Sequence, residues 1–102
     1  MNSHEEGRAK MIKQCRREIL GALAIMYSIG PFSFESICSA LTHLELPDDT
    51  CVKNDLTYLC ERGYVRWTNE KPLMTWKTRL FKLTARGKDV HDRIEADPTL
   101  EP

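Results

Sequence analysis

Apolar residues recur at three- and four-residue steps over the first third of the chain. Ile12, Ile19, Leu20, Leu23, Met26 and Tyr27 fall on one side of a helical spiral, the signature of an amphipathic helix. The pattern predicts a helix over about 8–29. Gly30-Pro31 ends it, because proline has no N–H for the ladder and disfavours helix in the residue before it. A second stripe, Phe34, Ile37, Cys38, Leu41 and Leu44, predicts a shorter helix. Ser33 is placed to cap it by accepting a first-turn N–H. Phe32 and Ile37 are spaced for a hydrophobic staple across that cap. A third helix is expected over 49–62, after Pro47-Asp48-Asp49, with Val52, Leu56, Leu59 and Cys60 on one face. Asp48 can cap it, and Asp49 complements the positive end of its dipole. Gly63 is then the left-handed residue at its C-terminus. The connection between the second and third helices is about two to four residues, as in a helix-turn-helix.

The period then changes. Tyr64-Val65-Arg66-Trp67-Thr68 alternates, and so does Thr78-Arg79-Leu80-Phe81-Lys82-Leu83-Thr84. Two such β-prone runs predict an antiparallel hairpin with a long tip between them. A last helix starts after Thr84, holds Val90 and Ile94, and stops at Asp97-Pro98. The expected organisation is a flexible N-terminus over 1–10, one domain over 11–96 and a disordered tail over 97–102. Helix, helix, helix, hairpin, helix is the layout of a winged helix-turn-helix, α-α-α-β-β-α, mainly α with a small β-hairpin. In that layout the third helix can enter a DNA major groove, and the hairpin over 64–84 is the wing.

Composition narrows the class. The 102 residues fit one domain, and 41% apolar content is enough for a modest core. The apolar run over residues 23–27 is too short to span a bilayer, so no membrane partner is expected. No apolar signal core stands at the N-terminus. Cys15, Cys38, Cys51 and Cys60 form no Cys-x-x-Cys pair, so neither a zinc site nor any cofactor is expected. Reduced thiols point to the cytoplasm. Phosphate-binding Gly-rich loops and nucleophile–base motifs are absent, so no enzyme is expected. Cys38 and His43 are close in sequence, but Cys38 lies on the apolar stripe, where a thiol is inert.

Charge changes the picture most. Lys plus Arg equals Asp plus Glu at 15 each, which alone argues against nucleic acid. The zero hides unequal parts. Residues 33–49 carry four acids and no base. Residues 50–88 carry nine basic and three acidic side chains, leaving +6. Residues 89–102 carry five acids and Arg93, leaving −4. The positive block covers the third helix and the hairpin, where phosphate contacts are needed. With Val52, Leu56 and Leu59 turned to the core, Thr50, Asn54, Thr57 and Glu61 point the other way, and Lys53 and Tyr58 flank them. Asn pairs bidentately with adenine and Thr can touch a thymine methyl. Thr50, Lys53, Asn54 and Thr57 are therefore candidate DNA contacts on the helix, and Arg66, Lys71, Lys77 and Arg79 on the hairpin. The predicted partner is double-stranded DNA.

Two stretches resemble known regulators. Val52-Lys53-Asn54-Asp55-Leu56-Thr57-Tyr58-Leu59-Cys60-Glu61-Arg62-Gly63-Tyr64-Val65 resembles the helix and Glu-Arg-Gly-Tyr-Val turn of the MarR, ArsR and PadR families of winged-helix regulators. Leu83-Thr84-Ala85-Arg86-Gly87 resembles the Leu-Thr-x-x-Gly element after their wing. From about Ile19 onward the chain also resembles small winged-helix proteins of Mu-like phages and prophages. The resemblance implies transcriptional regulation and a homodimer built by the first and last helices. The hairpin tip departs from that pattern. Its Leu73, Met74 and Trp76 form an apolar cluster, which is the basis of the alternative expectation, a protein-interaction module.

Overall fold

The computed structural model describes residues 3–41, 49–68 and 79–100. They form, in order, helix α1 (Ser3–Ile25), strand β1 (Phe32–Ser33), helix α2 (Phe34–Ala40), helix α3 (Asp49–Glu61), strands β2 (Val65–Thr68) and β3 (Leu80–Leu83), and helix α4 (Ala85–His91). The described part is mainly helical with a small antiparallel sheet in the order β1-β3-β2. α1 is the hub and packs against α2, α3, α4 and β3. Its Ile19, Leu20 and Leu23 meet Ile37, Val52, Leu56, Leu59, Phe81 and Leu83 in one buried cluster. Cys15 extends the α1 stripe by one turn and is buried with them.

The local chemistry that sets the elements is visible. The Ser33 hydroxyl accepts from Ser36 N–H at 3.1 Å and caps α2. Ser33→Ala should cost about 1 kcal/mol, read as a lowered urea midpoint with an unchanged slope. Thr84 caps α4 by accepting from Gly87 N–H at 3.0 Å and donates to the Gly63 carbonyl at 2.6 Å. One hydroxyl thus joins the start of α4 to the turn after α3. Gly63, at φ 80°, makes that turn in the left-handed region.

Several expectations change. α1 begins at Ser3, so the helix reaches further back than the expected start at about residue 8; Glu5, Glu6, Arg8, Ala9 and Lys10 are good helix formers, and polarity alone does not break a helix. α1 also ends at Ile25, and residues 26–29 tighten into turns, with Tyr27 N–H bonding Ala24 O and Ile29 N–H bonding Met26 O. β1 adds a third strand to the expected hairpin, with Phe32 opposite Phe81. α4 stops at His91, short of Ile94, and Arg93 takes a positive φ of 64°. Residues 97–100 pack against the domain, with Asp97 and Leu100 each only 2% exposed. The helix 2–3 connection at 42–48, with Leu44, His43 and Asp48, lies outside the described residues, as do Lys71, Leu73, Met74, Trp76 and Lys77.

Candidate nucleic-acid interface

α3 separates its faces cleanly. Val52, Leu56 and Leu59 are buried, while Thr50, Asn54, Thr57 and Glu61 are exposed and Lys53 is half-buried. The Thr57 hydroxyl donates to Lys53 O at 2.8 Å within the helix. Its proton is engaged there, so Thr57 presents a methyl group and an acceptor.

The sheet divides the remaining candidates. Val65 pairs with Leu83 and Trp67 with Phe81, so these four share the core face by strand alternation. Trp67 is the outermost and stays 46% exposed. The Arg79 guanidinium lies over its ring at 4.1 Å, a cation–π contact that holds the side chain in place. Thr57, Glu61, Trp67, Arg79 and Phe81 line one groove of about 340 Å³ between α3 and the sheet. Arg66 pairs with Lys82 in the register and so lies on the opposite face of the sheet. The structure therefore brings Thr57 and Arg79 together and sets Arg66 apart from them.

The positive block is smaller than its sequence count. Arg62 pairs with Asp97 at 2.9 Å, Arg86 with Glu95 at 2.9 Å and Lys88 with Asp92 at 2.8 Å. The acidic stretch after α4 folds back onto the basic block. Sequence distance hid this, since Arg62 and Asp97 stand 35 residues apart.

Behind α3 runs a polar chain that no sequence motif announces. Asp55 is buried and pairs with Arg16 at 3.2 Å. Burial pushes its carboxyl up, against the opposing pull of Cys15 and Arg16. Arg16 also lies over the Tyr58 ring at 3.7 Å and donates to Thr99 O at 3.3 Å. The Tyr58 hydroxyl donates to Thr99 Oγ1 at 2.6 Å, and Thr99 Oγ1 donates to Asp97 Oδ1 at 2.7 Å. Thr99 N–H donates to the same oxygen at 2.9 Å, while Arg62 and the buried Tyr64 hydroxyl donate to Oδ2. Burial alone would raise the Asp97 carboxyl. The bonds from Tyr64, Thr99 and Arg62 outweigh it and hold the group well below the usual carboxylate range. Residues 97–100 thus clasp the far end of α3. The lone Leu100 in a polar tail and the turn-forming Asp97-Pro98 were the available sequence signals.

The four cysteines are free. Burial pushes the Cys60 thiol up to about 11 and Cys15 higher still. Among the described residues no group of three His, Cys, Asp or Glu is placed to hold a metal ion, and no helix is long and apolar enough to cross a membrane. No family model matches the chain, and neither a curated protein nor a solved structure matches it.

Proposed function

We propose that the chain is a winged-helix DNA-binding protein and acts as a transcriptional regulator. α3 lies in the major groove of duplex DNA, and the hairpin grips the backbone beside it. The observation that carries this is the polar face of α3, where Thr50, Asn54 and Thr57 stand exposed opposite the buried Val52, Leu56 and Leu59. The element order and the Arg79–Trp67 stack next to that face support it. Asn54 pairs with an adenine edge, Thr57 offers its methyl to a thymine, and Arg79 holds a phosphate.

A duplex titration at two salt concentrations tests it. Four phosphate contacts give about a hundredfold weakening between about 50 and 200 mM salt. Asn54→Ala should remove about 1–3 kcal/mol of preference for an enriched sequence and leave binding to random duplex nearly unchanged. A flat salt response, or no binding at the lower salt, overturns the proposal. A second reading, a protein-interaction module, is favoured by the exposure of Trp67, Ile25, Ile29 and Ile94. A homodimer through α1 and the segment after α4 covers the three isoleucines.

A further inference from the structure

A second cavity lies between α1, the end of α4 and residues 97–100. It measures about 190 Å³ and is lined by Arg17, Leu20, Val90, His91, Arg93, Asp97 and Leu100. Its character is split. Leu20, Val90 and Leu100 make an apolar wall, and each is buried in the core cluster. Arg17, His91 and Arg93 make the other side. Among the described residues the one acid on the wall is Asp97, and both its oxygens are engaged by Arg62, Tyr64 and Thr99. Its charge is answered by Arg62, and His91 faces Asp92 at 3.1 Å, which leaves Arg17 and Arg93 as the cationic groups of the wall.

Arg17 has no answer of this kind. Its Nε is shielded from solvent and has no hydrogen-bond partner among the described residues. A shielded guanidinium N–H without an acceptor is costly. Water that enters the cavity finds polar partners on one side only, because Leu20, Val90 and Leu100 offer none. The occupant that satisfies both halves has an anionic head and a short apolar body. We propose that this cavity binds a small organic monocarboxylate, with the carboxylate on Arg17 and Arg93 and the alkyl chain against Leu20, Val90 and Leu100. The positive φ of Arg93 turns the chain at the cavity mouth and sets that residue beside it. Arginine suits the task, because its planar fork matches a carboxylate. The proposal stands apart from DNA binding, and its test contains no DNA.

The probe is hexanoate, which fills about the volume of the cavity. Its titration into the full chain is followed by the methyl NMR signals of Val90 and Leu100, with hexanol and hexylammonium as controls. Hexanoate is expected to shift those methyls saturably, with half-saturation at about 1 mM. Arg17→Leu and Arg93→Gly should each weaken it about tenfold. Arg17→Leu removes a group with no protein hydrogen bond at Nε, and Arg93→Gly relieves the left-handed backbone, so both variants should stay folded; if one does not, the other carries the comparison. Hexanol or hexylammonium binding as tightly as hexanoate would mean an apolar void without anion preference and overturns the proposal. So does the absence of saturation with hexanoate, or equal affinity in a folded arginine variant.

Discussion

Gly87→Ala should destabilise the domain by about 3 kcal/mol or more. The reason is contact, not backbone freedom. A Cβ at position 87 would collide with the Tyr64 carbonyl oxygen, and would come within 2.7 Å of Leu83 Cδ1 and 2.9 Å of Tyr64 C. The Tyr64 carbonyl cannot move away cheaply, since it accepts from Thr84 N–H at 2.9 Å at the junction of β3 and α4. Leu83 is buried and paired with Val65 across the sheet. α4 must therefore lift off the sheet, taking Val90 out of the core. Thermal unfolding followed by circular dichroism should show a midpoint lowered by about 15 °C. A midpoint within a few degrees of the parent would mean that α4 does not pack as described. The same contact gives the Leu83-Thr84-x-x-Gly87 spacing its mechanical sense. Leu83 anchors the strand, Thr84 caps the helix, and Gly87 lets that helix sit against the chain at Tyr64.

Asp97→Asn should cost about 2–3 kcal/mol at neutral pH. Both Asp97 oxygens face donors, Thr99 on one side and Arg62 with Tyr64 on the other. Whichever way an amide turns, its NH₂ meets a donor. The loss stays below that of a fully buried ion pair because the Arg62 side chain is 45% exposed and water can solvate it. The pH dependence has a definite sign. The folded-state carboxyl lies below its unfolded value, so its contribution is complete above the unfolded pKa of about 4 and is lost as pH falls from there. The gap between parent and variant should hold steady from neutrality to about pH 5 and shrink in stronger acid. Asp55 works in the opposite direction, because its carboxyl is raised by burial and protonation relieves a buried charge. Urea unfolding at several pH values checks this. A gap that persists undiminished to about pH 2 contradicts it.

Local signals were legible in the sequence and long-range ones were not. The Ser33 cap, the start of the last helix after Thr84, the left-handed Gly63 and the two faces of α3 all follow from residues within a few positions of one another. β1 was missed because two residues carry no alternation, and its existence depends on Phe32 finding Phe81. The segment 97–100 reads as fraying because Asp97, Pro98 and Thr99 are polar or helix-breaking. Its order comes from Arg16, Tyr58, Arg62 and Tyr64, all more than 30 residues away. Segment charge totals overcount the unpaired positive charge for the same reason, since they cannot see that Asp97 returns to Arg62. Of the candidate contacts, Thr50, Asn54 and Thr57 lie where helical geometry puts them, whereas Arg66 went to the outer sheet face through a strand register that a hairpin with a long tip does not dictate.

The clasp also bears on how fast the domain forms and how long it lasts. The bond from Arg16 to Thr99 closes 83 residues of chain, and the bonds to Asp97 close 33 and 35. The 83-residue closure gives up more chain entropy before it returns contact energy than the 39-residue closure from Arg16 to Asp55 between α1 and α3. Contacts absent from the folding transition state act on the unfolding rate. The long closure to Thr99, at the edge of the fold, thus bears on how long the folded molecule lasts, and the nearer contacts of the helices on how fast it forms.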